Sequence, residues 1–301
     1  MYKGIVASAT FPVIREDVAR FERVVEEVAA TGWFDGFEFC FEGSAADRRR
    51  IGAALDRKGF YGVYLAAFEM KRDRTDLGAA DPTERAAAVA RCLEQVRVAC
   101  ETRARKMLIL SGPRPQGPFD LDAYLDRFAQ SLEQLAAGGR AWAGDDAPEI
   151  TIEFFNDRGE PWLAVGGADT VIRLFKRVDW PGLSGRLGIT FDTSHVAQLH
   201  EGLEEDFALL SPFMRHLHLS NCVIDRPGHP LNGDRHPAFN HPDGVFTDAD
   251  MAAFMKWVYR QAGADRIDVC SIEVIPHAGM DDQASFRSVC ETARAVFGPY
   301  R

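Results

Sequence analysis

The chain has 301 residues, 46% of them hydrophobic and 27% charged, with 35 basic against 45 acidic side chains and a formal net charge of −10. That composition is ordinary for a globular protein, and its acidic balance argues against a broad nucleic-acid footprint, although a local basic groove could still exist. The opening "MYKGIVASATFPVI" is too short in its apolar core for a signal peptide, and no uncharged apolar run approaches the roughly 18 residues of a membrane helix. Six cysteines, with no CxxC pair and no dense framework, read as reduced, mostly buried thiols of a cytoplasmic protein.

Short β-rich runs alternate with amphipathic ones along the whole chain. "KGIVASA" precedes a helical pattern in which Val18, Phe21, Val25 and Val28 share a face and Gly32 is the stop. "FDGFEFCF" leads to a helix capped by Ser44 and closed by Gly59. "FYGVYLAAF" leads to one opened by Asp81, with Pro82 at the first helical position and Glu84 at capping-box distance. "KMLILSG", "EITIEFF" and "GRLGITFD" each begin a further unit, the last with its helix near "GLEEDFALLSPF". "MRHLHLSN" is separated by a long loop from "TDADMAAFMKWVYRQAG", and "IDVCSIEVI" precedes "DDQASFRSVCETARAVFG".

Eight β/α units with no linker between them predict one (β/α)8 TIM-barrel domain over residues 1–301, with a long active-site loop at about 220–246. An open doubly wound sheet would want a glycine-rich phosphate loop after an early strand, and "SATFPVI" is not one.

Barrel active sites lie at the C-terminal ends of the strands. There the later strands carry Glu153 in "TIEFFND", Asp192 and His195 in "FDTSH", His216 and His218 in "RHLHLSN", and Glu273 in "SIEVIP". An unpaired carboxylate buried in an apolar run is expensive, and a cation removes the cost. Glu153, Asp192, His218 and Glu273, from four successive strands, form an oxygen-rich set suited to Mn²⁺, Mg²⁺, Co²⁺ or Zn²⁺. Any one of them alone could simply bridge to a neighbouring base. All eight histidines lie from residue 195 onward. His216 reads as a packed core residue, His200 and His277 as surface or supporting residues, and His229 and His241 as solvated loop residues.

"IEFFN", "FDTSH", "HLHLSN", "GDRHP" and "IEVIP" resemble motifs of the xylose isomerase-like TIM barrels, which include sugar-phosphate isomerases and epimerases, ketose 3-epimerases and the family 2 AP endonucleases (endonuclease IV). In the ketose 3-epimerase branch the resemblance makes Glu153, Asp192, His218 and Glu273 the metal ligands, with Mn²⁺ the first choice. It makes His195 and Glu160 substrate contacts. In the endonuclease branch the "DRH" triplet implies that Asp234 and His236 join His195 on a further metal. That branch also needs histidines at the ends of strands three and four, where this chain reads "LAAFEM" and "LILSGP". The loop "PLNGDRHPAFNHPDG" is therefore expected to fold over the mouth, with Asp234 and His236 as substrate contacts or ligands of a second metal.

These readings imply metal-dependent isomerisation or epimerisation of a small sugar, ketose or polyol derivative through an enediolate, with Glu153 and Glu273 moving protons and His195 orienting a hydroxyl. A lyase or dehydratase that expels a group β to the carbonyl, including the aglycone of an oxidised glycoside, uses the same base chemistry. The loop lacks the early arginine of the epimerases, since Arg226 comes late. An endonuclease-like hydrolase and a non-catalytic subunit are the remaining classes. The expected partner is a small carbohydrate, with no nucleic acid or membrane, and family habit implies a homo-oligomer.

Overall fold

A computed structural model describes residues 1–115, 117–155, 163–183 and 185–300. Eight parallel strands run β1 Tyr2–Val6, β2 Gly36–Phe39, β3 Tyr61–Leu65, β4 Lys106–Leu110, β5 Glu149–Glu153, β6 Leu187–Asp192, β7 Met214–Ser220 and β8 Val269–Glu273. Each pairs with the next and β8 returns to β1, so the sheet is a closed barrel as the β/α alternation predicted. Their side chains are buried almost without exception, because the inner face fills the barrel and the outer face meets helices.

One principal helix follows each strand: α1 Val18–Thr31, α2 Ala45–Lys58, α3 Pro82–Glu101, α4 Leu121–Ala143, α5 Gly167–Phe175, α6 Leu203–Leu210, α7 Asp248–Val258 and α8 Asp282–Phe297. The local signals act as read. Ser44 accepts from Asp47 N, Asp81 accepts from Thr83 N and Glu84 N, and Gly32 and Gly59 end their helices at φ 63° and 71°. A reciprocal capping box forms at α7, between Thr247 and Asp250. Packing follows the helical stripe: Phe21 of α1 stands 5.4 Å, centroid to centroid, from both Phe37 and Phe39 of β2.

The first strand stops earlier than "KGIVASA" suggested. A helical turn, Ala7–Thr10, takes over because Ser8 and Thr10 turn inward, their hydroxyls donating to the carbonyls of Cys40 and Val274. Two further short helices sit directly on strand ends, Ala67–Arg72 after β3 and Thr193–Gln198 after β6. The closed end of the barrel is bound by Lys106, wholly buried, which pairs with Glu149 and with Asp268 at 3.1 Å. Among the described residues, no helix is long and apolar enough to cross a membrane.

Candidate metal centre and active site

The expected ligands come from four adjacent strand ends. Glu153, Asp192 and Glu273 are the last residues of β5, β6 and β8, and His218 lies near the end of β7. A register shift between Ile189 and Thr190 brings Asp192 level with His218; without it Asp192 would face Leu217. Such irregularities re-aim side chains where a site is built. The result is convergence on one atom: His218 Nδ1 lies 3.2 Å from Glu153 Oε1, 3.4 Å from Glu273 Oε2 and 3.7 Å from Asp192 Oδ2.

Asp192 is held rigidly on one side only. Its Oδ1 accepts from Ser194 N and Ser194 Oγ, both at 2.7 Å, from His195 N at 3.2 Å and from the Ser220 hydroxyl. Its Oδ2 is buried with no hydrogen-bond partner. An orphaned carboxylate oxygen beside two more carboxylates and an imidazole nitrogen is a donor set that fits a hard to borderline divalent cation.

A second group adjoins the first. The loop after β7 returns over the mouth, where Ile275 N donates to the His236 carbonyl at 2.9 Å and holds His236 at φ 37°, in the left-handed region. His236 Nε2 lies 2.8 Å from Asp234 Oδ1, and His195 Nε2 lies 3.4 Å from the same oxygen. Lys71 Nζ, from the short helix after β3, bonds Asp234 Oδ2 at 2.7 Å. Asp192, His195 and His236 offer atoms within 4.8 Å of one another, as do Glu153, Asp192 and His218, and as do Glu38, His216 and His218.

Charge is crowded here, and it moves the titrations. Burial pushes Glu273 up to about 7 against the pull of His236 and His218. Burial works against charge on Asp192 too, but His195, His236 and His218 outweigh it and hold the group at about 2. Burial would lower His236, yet Glu273 and Asp234 carry it to about 10. His195 is raised in the same way, chiefly by Asp192, and Asp234 is held well below the usual carboxylate range by His236 and Lys71 against its burial. His218 is driven well above an ordinary histidine by Glu38 and Glu153 despite burial, so a proton and a divalent ion compete for its Nδ1.

A cleft lies above these groups. Its polar lining is Glu153, His195, His218, Asp234, His236 and Glu273, with Lys71, and its apolar lining includes Val6, Leu65, Leu108, Leu110, Phe68 and Phe155.

A family model for xylose isomerase-like TIM barrels matches residues 25–289. The chain belongs to the xylose isomerase-like TIM barrel family. Solved structures similar to it include a D-tagatose 3-epimerase-like protein, 20% identical over 100% of both chains at a TM-score of 0.70. An L-ribulose 3-epimerase is 16% identical over 99% of this chain and 93% of its own, also at 0.70. An IOLI protein with a bound zinc atom is 12% identical over 100% and 99%, at 0.69. At these identities the likeness establishes the xylose isomerase-like fold. No curated protein matches the sequence.

The structure brings seven of the eight sequence-predicted site residues together: Glu153, Asp192, His195, His218, Asp234, His236 and Glu273. Glu160 lies outside the described residues. Arg226 is exposed and pairs with Asp243 within the loop. His200 is exposed and His216 wholly buried, as read. His229 and His241 are half-buried and less solvated than expected: their ring centroids are 6.3 Å apart, and His241 is 5.9 Å from His277.

Sequence reasoning missed Glu38 and Lys71. Glu38 is a fully buried carboxylate in an apolar strand, so the argument used for Glu153 would have found it. Lys71 shows no such signal, because it lies on the polar face of a short helix.

Proposed function

We propose that this protein is a divalent-metal-dependent isomerase or epimerase of a small sugar, ketose or polyol derivative. The observation that carries the reading is the convergence of Glu153, Asp192 and Glu273 on His218 Nδ1 at the barrel mouth. In this reading those four residues hold the ion, with Mn²⁺ ahead of Mg²⁺, Co²⁺ and Zn²⁺. When bound, the ion supplies Lewis acidity toward a substrate carbonyl and its neighbouring hydroxyl.

The remaining work falls to the chain. Glu273, reaching in from β8, accepts a proton α to the carbonyl. Glu153, reaching in from β5, returns a proton on the other face. His195, fixed by the Phe154 carbonyl at 3.1 Å and by Asp234, orients a substrate hydroxyl. His236 and Asp234 close the polar wall and exclude water from it.

The test is turnover in heavy water. Epimerisation by this route incorporates solvent deuterium at the reacting carbon, and turnover without incorporation sinks it.

One observation favours a second outcome of the same chemistry. Among the described residues that line the cleft, the side chains of Val6, Leu65, Leu108 and Leu110 offer no partner to a sugar hydroxyl, and each hydroxyl buried against them unpaired costs about 1–3 kcal/mol. A substrate with a hydrocarbon substituent fits that lining better, and a lyase would expel it as an aglycone β to the carbonyl. His236, 4.0 Å from Glu273, would then protonate the leaving group. Release of a phenol from a 3-oxo aryl glycoside, with no isomerised sugar formed, selects this outcome over the first.

A further inference from the structure

Behind the proposed ligand set lies a second, wholly buried polar layer that the mechanism above does not use. Glu38 Oε2 is 3.0 Å from His218 Nε2, and its Oε1 is 2.7 Å from His216 Nε2. His216 Nδ1 continues to the Thr190 hydroxyl at 3.0 Å, and Thr190 to the Thr151 hydroxyl at 2.9 Å. The layer thus crosses the barrel from β2 through β7 and β6 to β5.

We propose that Glu38 is the positioning residue that fixes His218 as its Nε2–H tautomer and so aims the Nδ1 lone pair at the metal. The inference rests on the metal-site reading above.

A carboxylate only accepts, so each imidazole that faces it must present an N–H. A neutral imidazole has a single N–H, which leaves Nδ1 of both rings as an acceptor. For His216 that acceptor faces the Thr190 hydroxyl at 3.0 Å. For His218 it faces Glu153, Asp192 and Glu273, none of which can donate when ionised, so it takes either a proton or, with that proton displaced, a metal cation. Outer partners of this kind set ring orientation and basicity, and their loss typically weakens metal binding about 10–100-fold.

Glutamine at position 38 makes the idea testable, because its amide has one accepting and one donating end. With zinc on His218 Nδ1, the amide oxygen must face His218, and its NH₂ group then faces His216. His216 has to move its proton to Nδ1 and donate to the Thr190 hydroxyl, which donates on to Thr151.

The experiment compares wild type and Glu38→Gln by zinc competition against a chelator and by ¹⁵N spectra of the zinc-loaded imidazoles. The expected results are one zinc at saturation in both, affinity about 10–100-fold weaker in the variant, and His216 switched from Nε2–H to Nδ1–H. A merely structural role would lower the melting temperature without moving affinity or tautomer, and that result overturns the proposal. Zinc bound through Nε2 of His218 in the wild type overturns it as well, and that measurement stands even if the variant fails to fold. A wild type that binds no zinc overturns the metal-site reading itself, which separates the two failures.

Discussion

Replacing Asp192 by asparagine probes the proposed centre with little disturbance of the fold. Four donors converge on Oδ1, from Ser194 N, Ser194 Oγ, His195 N and the Ser220 hydroxyl. The asparagine carbonyl must take that place, because an NH₂ group there would confront four donors. Its NH₂ is therefore forced into the position of Oδ2, aimed toward His218 Nδ1 at 3.7 Å. An amide nitrogen offers no lone pair to a cation, so the site loses a ligand and a charge at once.

Loss of an outer partner already weakens metal sites by up to about 100-fold, and we set loss of the ligand at no less than that. By linkage, 100-fold in affinity removes about 2.7 kcal/mol of metal-dependent stabilisation, on the order of 5 °C in melting temperature for a chain this size. The metal-free variant keeps its four hydrogen bonds to a neutral instead of a charged acceptor, a loss of about 1–2 kcal/mol, partly offset by relief of repulsion with Glu153 and Glu273. The assay is thermal melting of chelator-treated protein titrated with Mn²⁺, with metal counted by elemental mass spectrometry. If Asp192→Asn retains one equivalent and the full metal-induced rise in melting temperature, the ligand assignment is wrong.

Asp206 is raised from 3.8 to about 7 by burial and by the Glu201 carboxylate beside it. Its folded form binds the proton more tightly than the unfolded chain, so this contribution is complete below about pH 4 and is lost as the pH rises through about 7. Asp206→Asn should therefore gain stability over wild type at about pH 8 but not at about pH 4, by urea denaturation; an equal difference at both refutes the assignment.

Lys106→Met strands Glu149, whose other cationic partner is Arg215 at 3.4 Å, and should cost about 3–5 kcal/mol, while adding Glu149→Leu restores most of it. A cost under about 1 kcal/mol in the single variant would show that the closed end does not depend on this pair. Burial raises the thiols of Cys40 and Cys92 to about 12 and those of Cys100 and Cys290 to about 11, and it raises Cys222 and Cys270 further. A thiol reagent should label the buried Cys40, Cys92, Cys222 and Cys270 slowly in the native protein and all six cysteines after unfolding; rapid labelling of any of those four in the native state would contradict that burial.

Much of this protein was written locally. Caps at Ser44 and Asp81 and stops at Gly32 and Gly59 act within a few residues of themselves, so a linear reading reaches them. Glu153, Asp192, His218 and Glu273 were legible because each breaks an apolar run at a strand's end, and burial of an unpaired charge has a cost that needs no tertiary knowledge to state.

What pairs with what was decided by barrel closure. Glu38 meets His216 and His218 across 178 and 180 positions of sequence, and Lys71 meets Asp234 across 163. The register shift that sets Asp192 beside His218 depends on how β6 lies against β7, which neither strand encodes alone. Periodicity records which face of an element is buried. Only the closed barrel determines which buried atoms face one another, and on that depends which nitrogen of His218 is left for a metal.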